Sequence, residues 1–270
     1  MPNSPYPVAL TIAGSDSGGG AGMQADLKTF ERFEVFGTCA VTLITAQNTR
    51  GVQAVHLLPP ELVRQQIDAV LSDFTPTAIK IGALGGPDII RAVADALQSY
   101  ALPTPQDRPI VIDPVMVSKH GHPLLDADAV ALFVEKILPH GVVMTPNMHE
   151  AALMASRPCA SVDQMMDVAQ LLADRFGLTV VVTGGASVSD RCPDAVARPG
   201  AGAWLVDGRR VPGRHLHGTG CSYSAALTAL LARGVSLDDA VVQARQWVGR
   251  AIEHAPDLGS GVGPLLHRAR

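Results

Sequence analysis

The chain has 270 residues, a length that suits one large α/β domain or two small ones. Lys and Arg number 21 against 25 Asp and Glu, a formal net charge of −4, and this balance offers no basic domain or stripe to a nucleic-acid partner. Apolar residues make up 47% and charged residues 17%, which excludes wholesale disorder, and the four cysteines (Cys39, Cys159, Cys192, Cys221) include no C-x-x-C pair that would indicate a zinc ribbon or a disulfide framework.

Short β-branched runs alternate with helical patterns along most of the chain. Val8 to Ala13 reads as a first strand and Ala25 to Phe33 as a helix. Cys39 to Thr45 is a strand, Pro60 to Phe74 a helix with Leu62, Ile67, Val70 and Leu71 on its apolar stripe, and Ala78 to Ile81 a strand. Ile89 to Leu97 is helical, Ile110 to Asp113 a short strand, Ala129 to Leu138 a helix and Val142 to Thr145 a strand. Helical stretches follow around Glu150 and from Val162 to Phe176, then a strand from Leu178 to Thr183. The strands are apolar on both faces, as parallel strands covered by helices must be. From Ala203 to Arg214 the pattern changes, and Asp207-Gly208 between two short runs predicts a hairpin turn. Helices from Ser222 to Ala232 and from Leu237 to Ala255 close the chain, the second capped by Ser236. With no internal repeat and no linker, residues 1–270 read as one domain: a mostly parallel sheet between helical layers, with an antiparallel hairpin late in the chain. No apolar run approaches the ~20 residues of a membrane span, and residues 1–7 show neither a basic n-region nor an apolar h-region, so a cytoplasmic location is expected.

Several segments could carry chemistry. Gly14 to Gly22 holds five glycines in nine residues between a strand and a helix, where backbone can approach a ligand closely. The spacing is not G-x-G-x-x-G, and no Walker Gly-Lys-Ser/Thr is present, so neither a dinucleotide site nor a P-loop fits. The alternative is a plain strand-to-helix turn. His217-Gly-Thr-Gly-Cys-Ser222 precedes a helix, and Gly218, Thr219, Gly220 and Cys221 would turn consecutive N–H donors toward an anion. A thiol there is expected to have a lowered pKa and to serve as base or nucleophile; taken alone, a cysteine is more often a small buried filler. Asp113 ends a buried strand, where a carboxylate holds a metal ion or simply caps a turn. Asn147 and Glu150 share a face if helical, or pair as a capping box. Gln47, after a strand, offers an amide suited to a heterocycle, and Thr183-Gly-Gly ends another strand, where it could approach a phosphate. His120 and His122 read as solvated, Trp204 and Trp247 as packing.

Together, Ala13 to Thr29, Ala46-Gln-Asn-Thr-Arg-Gly-Val52, Lys80-Ile-Gly82, Asp113-Pro-Val-Met116, Thr145-Pro-Asn-x-x-Glu150 and His217-Gly-Thr-Gly-Cys221 resemble the hydroxymethylpyrimidine/phosphomethylpyrimidine kinases of thiamine biosynthesis, in the family's order and over Val8 to Pro264. The resemblance implies a ribokinase-like fold. It implies ATP-dependent phosphorylation of a pyrimidine hydroxymethyl group and then of the monophosphate. By matching position, Gln47 binds the pyrimidine, while Gly14, Ala21, Asp26 and Val115 line or order its pocket. Gly218 to Cys221 form the anion hole, with Cys221 where the superfamily's sugar kinases carry a catalytic Asp. Asn147 and Glu150 organise Mg²⁺ and its water near the ATP phosphates, with Asp113 close by. A homodimer is implied by resemblance only.

Two positions depart from the family pattern. Ala83 follows Lys-Ile-Gly where the family often has Met, widening one wall of the pocket. Thr183 stands where the family often has Lys, which bears on the second phosphorylation. Ala186 to Pro199 also reads less like the family, as a flap or as nucleotide contacts. The competing readings are a pyridoxal-type kinase, a non-catalytic pyrimidine-binding protein and a cysteine hydrolase built on Cys221.

Overall fold

A computed structural model describes residues 6–100, 108–116, 127–184 and 191–269. Its framework is one nine-stranded sheet. In chain order the elements are β1 (Val8–Asp16), α1 (Gly22–Arg32), β2 (Phe36–Asn48), β3 (Gly51–Leu57), α2 (Pro60–Leu71), β4 (Ala78–Ile81), α3 (Pro87–Ser99), β5 (Ile110–Ile112), α4 (Ala127–Lys136), β6 (Val143–Met144), α5 (Met148–Ala155), α6 (Val162–Phe176), β7 (Thr179–Val182), β8 (Asp194–Arg198), β9 (Gly202–Val206), α7 (Thr219–Ala232) and α8 (Leu237–Glu253). The strand order is β3-β2-β1-β4-β5-β6-β7-β8-β9, parallel from β2 through β7 and antiparallel at β2/β3, β7/β8 and β8/β9. Among the described residues no helix is long and apolar enough to cross a membrane.

Strand periodicity of two sends neighbouring side chains to opposite faces, and both faces are dry. Ile110 and Ile112 of β5, with Val180 and Val182 of β7, join the core under α2 to α6; Val111 and Val181 join the core under α7 and α8, with Tyr223, Leu227, Trp247 and Val248. Beside the latter, Ala9 and Ala78 pack against Phe30 of α1 and the alanines of α7. Trp247 is packing, as its place in the sequence suggests, while Trp204 is half-buried under the Arg198 guanidinium.

The late hairpin lies at a different turn from the one expected, and the early one where turn chemistry is least visible. The late hairpin is β8/β9, turning through residues 199–201, and not a pair of strands across Asp207-Gly208. Gly200 and Gly202 supply the positive φ that turn needs. Residues 194–198 of the segment expected to form a flap or nucleotide loop are therefore strand β8, and 185–190 lie outside the described residues. So do His120 and His122. At the other edge, β2 runs through Gln47 and turns at Thr49-Arg50 into β3, a strand unsignalled by Asn-Gly and held by the Asn48 side chain accepting from Arg50 N–H at 2.9 Å.

Chain direction places the site. From β1 the chain passes to β2 on one side and, after the hairpin, to β4 on the other, so strand order reverses at β1. The loops leaving the carboxyl ends diverge there and leave a crevice, where open α/β sheets bind ligands.

Candidate active site

A cavity of about 630 Å³ occupies this crevice. Of the residues singled out from the sequence, Gly14, Ala21, Gln47, Asp113, Val115, Asn147, Glu150, Thr183 and Gly218 to Cys221 all line it. Asp26 does not: it is fully buried beneath the floor and reaches the cavity only through Lys80.

The glycine-rich segment is ordered by one carboxylate. Asp16 accepts from the backbone N–H groups of Gly18 (2.8 Å), Gly20 (3.1 Å) and Ala21 (2.8 Å) and from His217 Nε2 (2.7 Å). Burial alone would raise its pKa, but the His217 bond and charge, with the Gly18 and Ala21 N–H groups, hold it below the usual value. Because Asp16 is ionised, His217 Nε2 carries the proton. The same nitrogen lies 3.3 Å from the Gln47 amide, whose oxygen accepts from Thr45. Asp16 and His217 thus tie the glycine segment to the start of α7, while the Gln47 side chain, whose NH2 cannot donate to a protonated Nε2, is held through its oxygen by Thr45 Oγ1 at 3.2 Å.

At the N-terminus of α7, Gly218 has φ +80°, and a Cβ there would lie 1.8 Å from the Gly20 carbonyl oxygen. Only glycine lets the two segments meet. Thr219, Gly220 and Cys221, which open this 14-residue helix, line the cavity, with Thr219 N–H turned back to the Leu216 carbonyl at 3.4 Å.

The floor is a buried charge cluster. Lys80 Nζ lies 2.9 Å from Asp26 Oδ2, which also accepts from Thr11 Oγ1 at 2.6 Å. Asp113 accepts from Ser224 Oγ at 3.0 Å, and the Cys221 thiol lies beside it. Burial works against the Lys80 charge, yet Asp26, Cys221 and Asp113 hold its pKa above the ordinary value. Burial raises Asp26 and Asp113, with Lys80 opposing both. Burial also pushes the Cys221 thiol up to about 12, against the pull of Lys80 and helped by Asp113 and Asp26. The expected lowering of this thiol by the helix end is therefore corrected: carboxylates and low dielectric outweigh the dipole, and Cys221 is a protonated donor at neutral pH.

Asn147 and Glu150 do form a capping box: Asn147 Oδ1 accepts from His149 and Glu150 N–H, and Glu150 Oε2 accepts from Asn147 N–H at 3.0 Å. The box also sets Glu150 in the cavity wall, where burial and then Asp113 push its pKa to about 8. Among the described residues no group of three or more His, Cys, Asp or Glu is placed to hold a metal. What Asp113 and Glu150 supply is a pair of mutually repelling carboxylates on one cavity.

Sequence reasoning assigns no role to Asp16, His217 or Lys80, although each sits in a quoted motif. The signal that points to the Lys80–Asp26 pair is a lysine in the apolar run Ala-Ile-Lys-Ile and an aspartate on the buried stripe of α1.

Residues 16–266 match the family model described as phosphomethylpyrimidine kinase. The Haemophilus influenzae and Bacillus subtilis proteins named hydroxymethylpyrimidine/phosphomethylpyrimidine kinase are 42% and 41% identical to this chain, covering 96% and 97% of it and 96% and 94% of their own lengths. Among solved structures, an ADP complex of Bacillus subtilis pyridoxal kinase superposes with TM-score 0.87 at 32% identity, covering 98% of both chains. Clostridium difficile phosphomethylpyrimidine kinase gives 0.77 at 35%, covering 91% of this chain and 99% of its own. A sheet with this order, a crevice carrying these motifs and full-length matches of this kind agree: the chain belongs to the phosphomethylpyrimidine kinase family.

Proposed function

We propose that this chain transfers the γ-phosphoryl group of ATP to the hydroxymethyl oxygen of 4-amino-5-hydroxymethyl-2-methylpyrimidine, and then phosphorylates the monophosphate, in thiamine biosynthesis. The observation that carries the reading is one cavity lined by an amide for a heterocycle (Gln47), a helix N-terminus for phosphate (Gly218 to Cys221) and two carboxylates (Asp113, Glu150). All of residues 1–270 serve as one ribokinase-like kinase domain.

The chemistry follows from these groups. The pyrimidine sits against Gln47 and Val115, with Gly14 and Ala21 closing the pocket and Asp26 ordering it through Lys80. The alcohol oxygen attacks the γ-phosphorus, the P–O bond to the β-phosphate breaks, and ADP leaves. Little covalent help is needed; positioning and charge neutralisation dominate. The N–H groups opening α7 stabilise charge on the transferring group. The hydroxyl proton passes to the Cys221 sulfur as the thiol hands its own proton to Asp113, the carboxylate beside it. Asn147 and Thr183 face the nucleotide phosphates. Two buried carboxylates that repel each other fit a divalent cation that keeps most of its own waters, so Asp113 and Glu150 would hold Mg²⁺. When bound, Mg²⁺ supplies positive charge to the phosphate oxygens. The same reading carries a cytoplasmic location, no nucleic-acid partner and a homodimer; exposed Val55 and Leu57, which share one face of the edge strand β3, support the last.

The test is a phosphorus NMR time course with Mg-ATP and the pyrimidine alcohol. Monophosphate followed by diphosphate is expected. Arrest at the monophosphate would make this a single-step enzyme and point to Thr183. A pyridoxal-type kinase is the second reading, favoured by Ala83 in the cavity wall; pyridoxal phosphate forming in a parallel tube, with the pyrimidine untouched, would replace the first.

A further inference from the structure

Away from the cavity a second buried polar cluster lies behind the end of β7. Asp194, at the start of β8, is 2% exposed, and its Oδ1 accepts from Gly184 N–H at 3.0 Å. Its Oδ2 lies 3.5 Å from Nε of Arg245, a side chain of α8 that is 9% exposed. Arg245 Nη2 donates to the Cys192 carbonyl at 2.5 Å, and the Cys192 thiol donates to the Gly184 carbonyl at 3.0 Å. The Tyr223 hydroxyl lies beside the Asp194 carboxylate. Both backbone groups of Gly184 are therefore held by this cluster. Gly208 belongs to it as well: a Cβ there would come within 2.0 Å of Arg245 Nη2. The Asp207-Gly208 signal in the sequence marks room for a guanidinium, not a turn.

Such a pair is a poor device for stability. Desolvating both charges is expensive, and a contact at 3.5 Å returns little of that cost. What the cluster does accomplish is positional. Gly184 follows Thr183, whose N–H donates to the Pro146 carbonyl at 2.9 Å and which lines the cavity with Asn147. We propose that Arg245 and Asp194 are positioning residues that set Thr183 and Gly184 at the phosphate end of the cavity, and so govern affinity for the nucleotide but not for the acceptor alcohol. This rests on the proposed function, in which Thr183 and Asn147 face the nucleotide.

The experiment compares wild type with Arg245→Met, Arg245→Lys and the charge-free pair Asp194→Asn/Arg245→Gln. The last avoids stranding a buried charge and is the variant to use if Arg245→Met does not fold. ADP binding is measured by calorimetry, and KM for Mg-ATP and for the pyrimidine alcohol by initial rates. The expected result is a roughly tenfold weaker ADP affinity and higher KM for Mg-ATP in Arg245→Met and the double variant. KM for the alcohol stays within about twofold, and Arg245→Lys recovers part of the loss. Folded variants with wild-type ADP affinity would overturn the brace, as would equal losses for nucleotide and alcohol, which a merely structural pair would give. Thr183→Val separates the two ideas: if it binds ADP as tightly as wild type, the nucleotide role of Thr183 falls and the brace with it.

Discussion

Replacing Lys80 by Met tests the buried floor of the cavity most directly. The ammonium is about 1% exposed and sits 2.9 Å from an Asp26 carboxylate that is itself sealed from solvent. Methionine fills a similar volume, so the loss is electrostatic. It strands a buried carboxylate whose Oδ1 already has no hydrogen-bond partner, leaving Thr11 its one donor. Removing one member of a buried pair costs about 3–5 kcal/mol, a large share of the roughly 5–15 kcal/mol that holds a domain together. The pH dependence has a definite sign. Asp26 is already raised by burial in the folded protein, and without Lys80 it rises further. The folded variant then binds more protons than the unfolded chain, so its stability falls as pH rises. Urea unfolding of wild type and Lys80→Met at pH 5 and pH 8 should show the larger gap at pH 8, and Asp26→Asn on top of Lys80→Met should recover more than half of it. A gap under about 1 kcal/mol at both pH values, or one that does not change with pH, would mean that water reaches Asp26 and the floor is not the sealed pair described.

Asp16→Asn should lose about 2–3 kcal/mol at neutral pH, as charge-assisted bonds to Gly18, Gly20, Ala21 and His217 weaken. Because the folded carboxyl lies below its ordinary value, that stability is full above the unfolded pKa and lost as pH falls through the folded one. The urea-midpoint gap should close below roughly pH 4, and a gap persisting in acid would locate the loss elsewhere. Gly218→Ala, with φ +80° and a Cβ 1.8 Å from the Gly20 oxygen, should lower Tm and raise KM for the alcohol by separating the two glycine segments; wild-type values for both would refute that contact. Iodoacetamide labelling of Cys221, followed by peptide mass spectrometry, should speed up about tenfold per pH unit from 7 to 9, because the thiol is pushed up to about 12; a plateau in that range would show a thiolate stabilised by α7 after all.

The features legible in the sequence are local ones. Val180 to Val182 and Ile110 to Ile112 announce buried strands by β-branching alone, since a strand covered on both faces needs no polar alternation. Helix α6 is bounded by its Ser161 cap at one end and by Gly177 at φ +70° at the other. Ser236 caps α8 by accepting from Asp239 N–H, and Asn147 with Glu150 closes a box that their spacing already suggests. The motifs lining the cavity are legible for a related reason: each is a short run at a strand end or helix start, and the fold only has to gather the runs. The tight turn at Thr49-Arg50 escapes such reasoning because its residues carry weak local preferences; at 199–201 Pro199-Gly200 is itself a turn signal, and what local sequence leaves open is which strands the turn joins, a matter that sheet pairing decides.

The strand and helix order, the parallel sheet and the motif segments are thus determined by residues close in sequence, through backbone preference and hydrophobic period. The roles inside the site are not. His217 meets Asp16 across 201 positions and Lys80 meets Asp26 across 54, so both pairs exist only once the sheet has closed. The same holds for Cys221: at a helix N-terminus a thiol is expected to lose its proton easily, but burial beside Asp113 and Asp26 reverses this. A pKa is set by every charge within a few ångströms and by the water excluded around it, and neither is a property of the chain until it has folded.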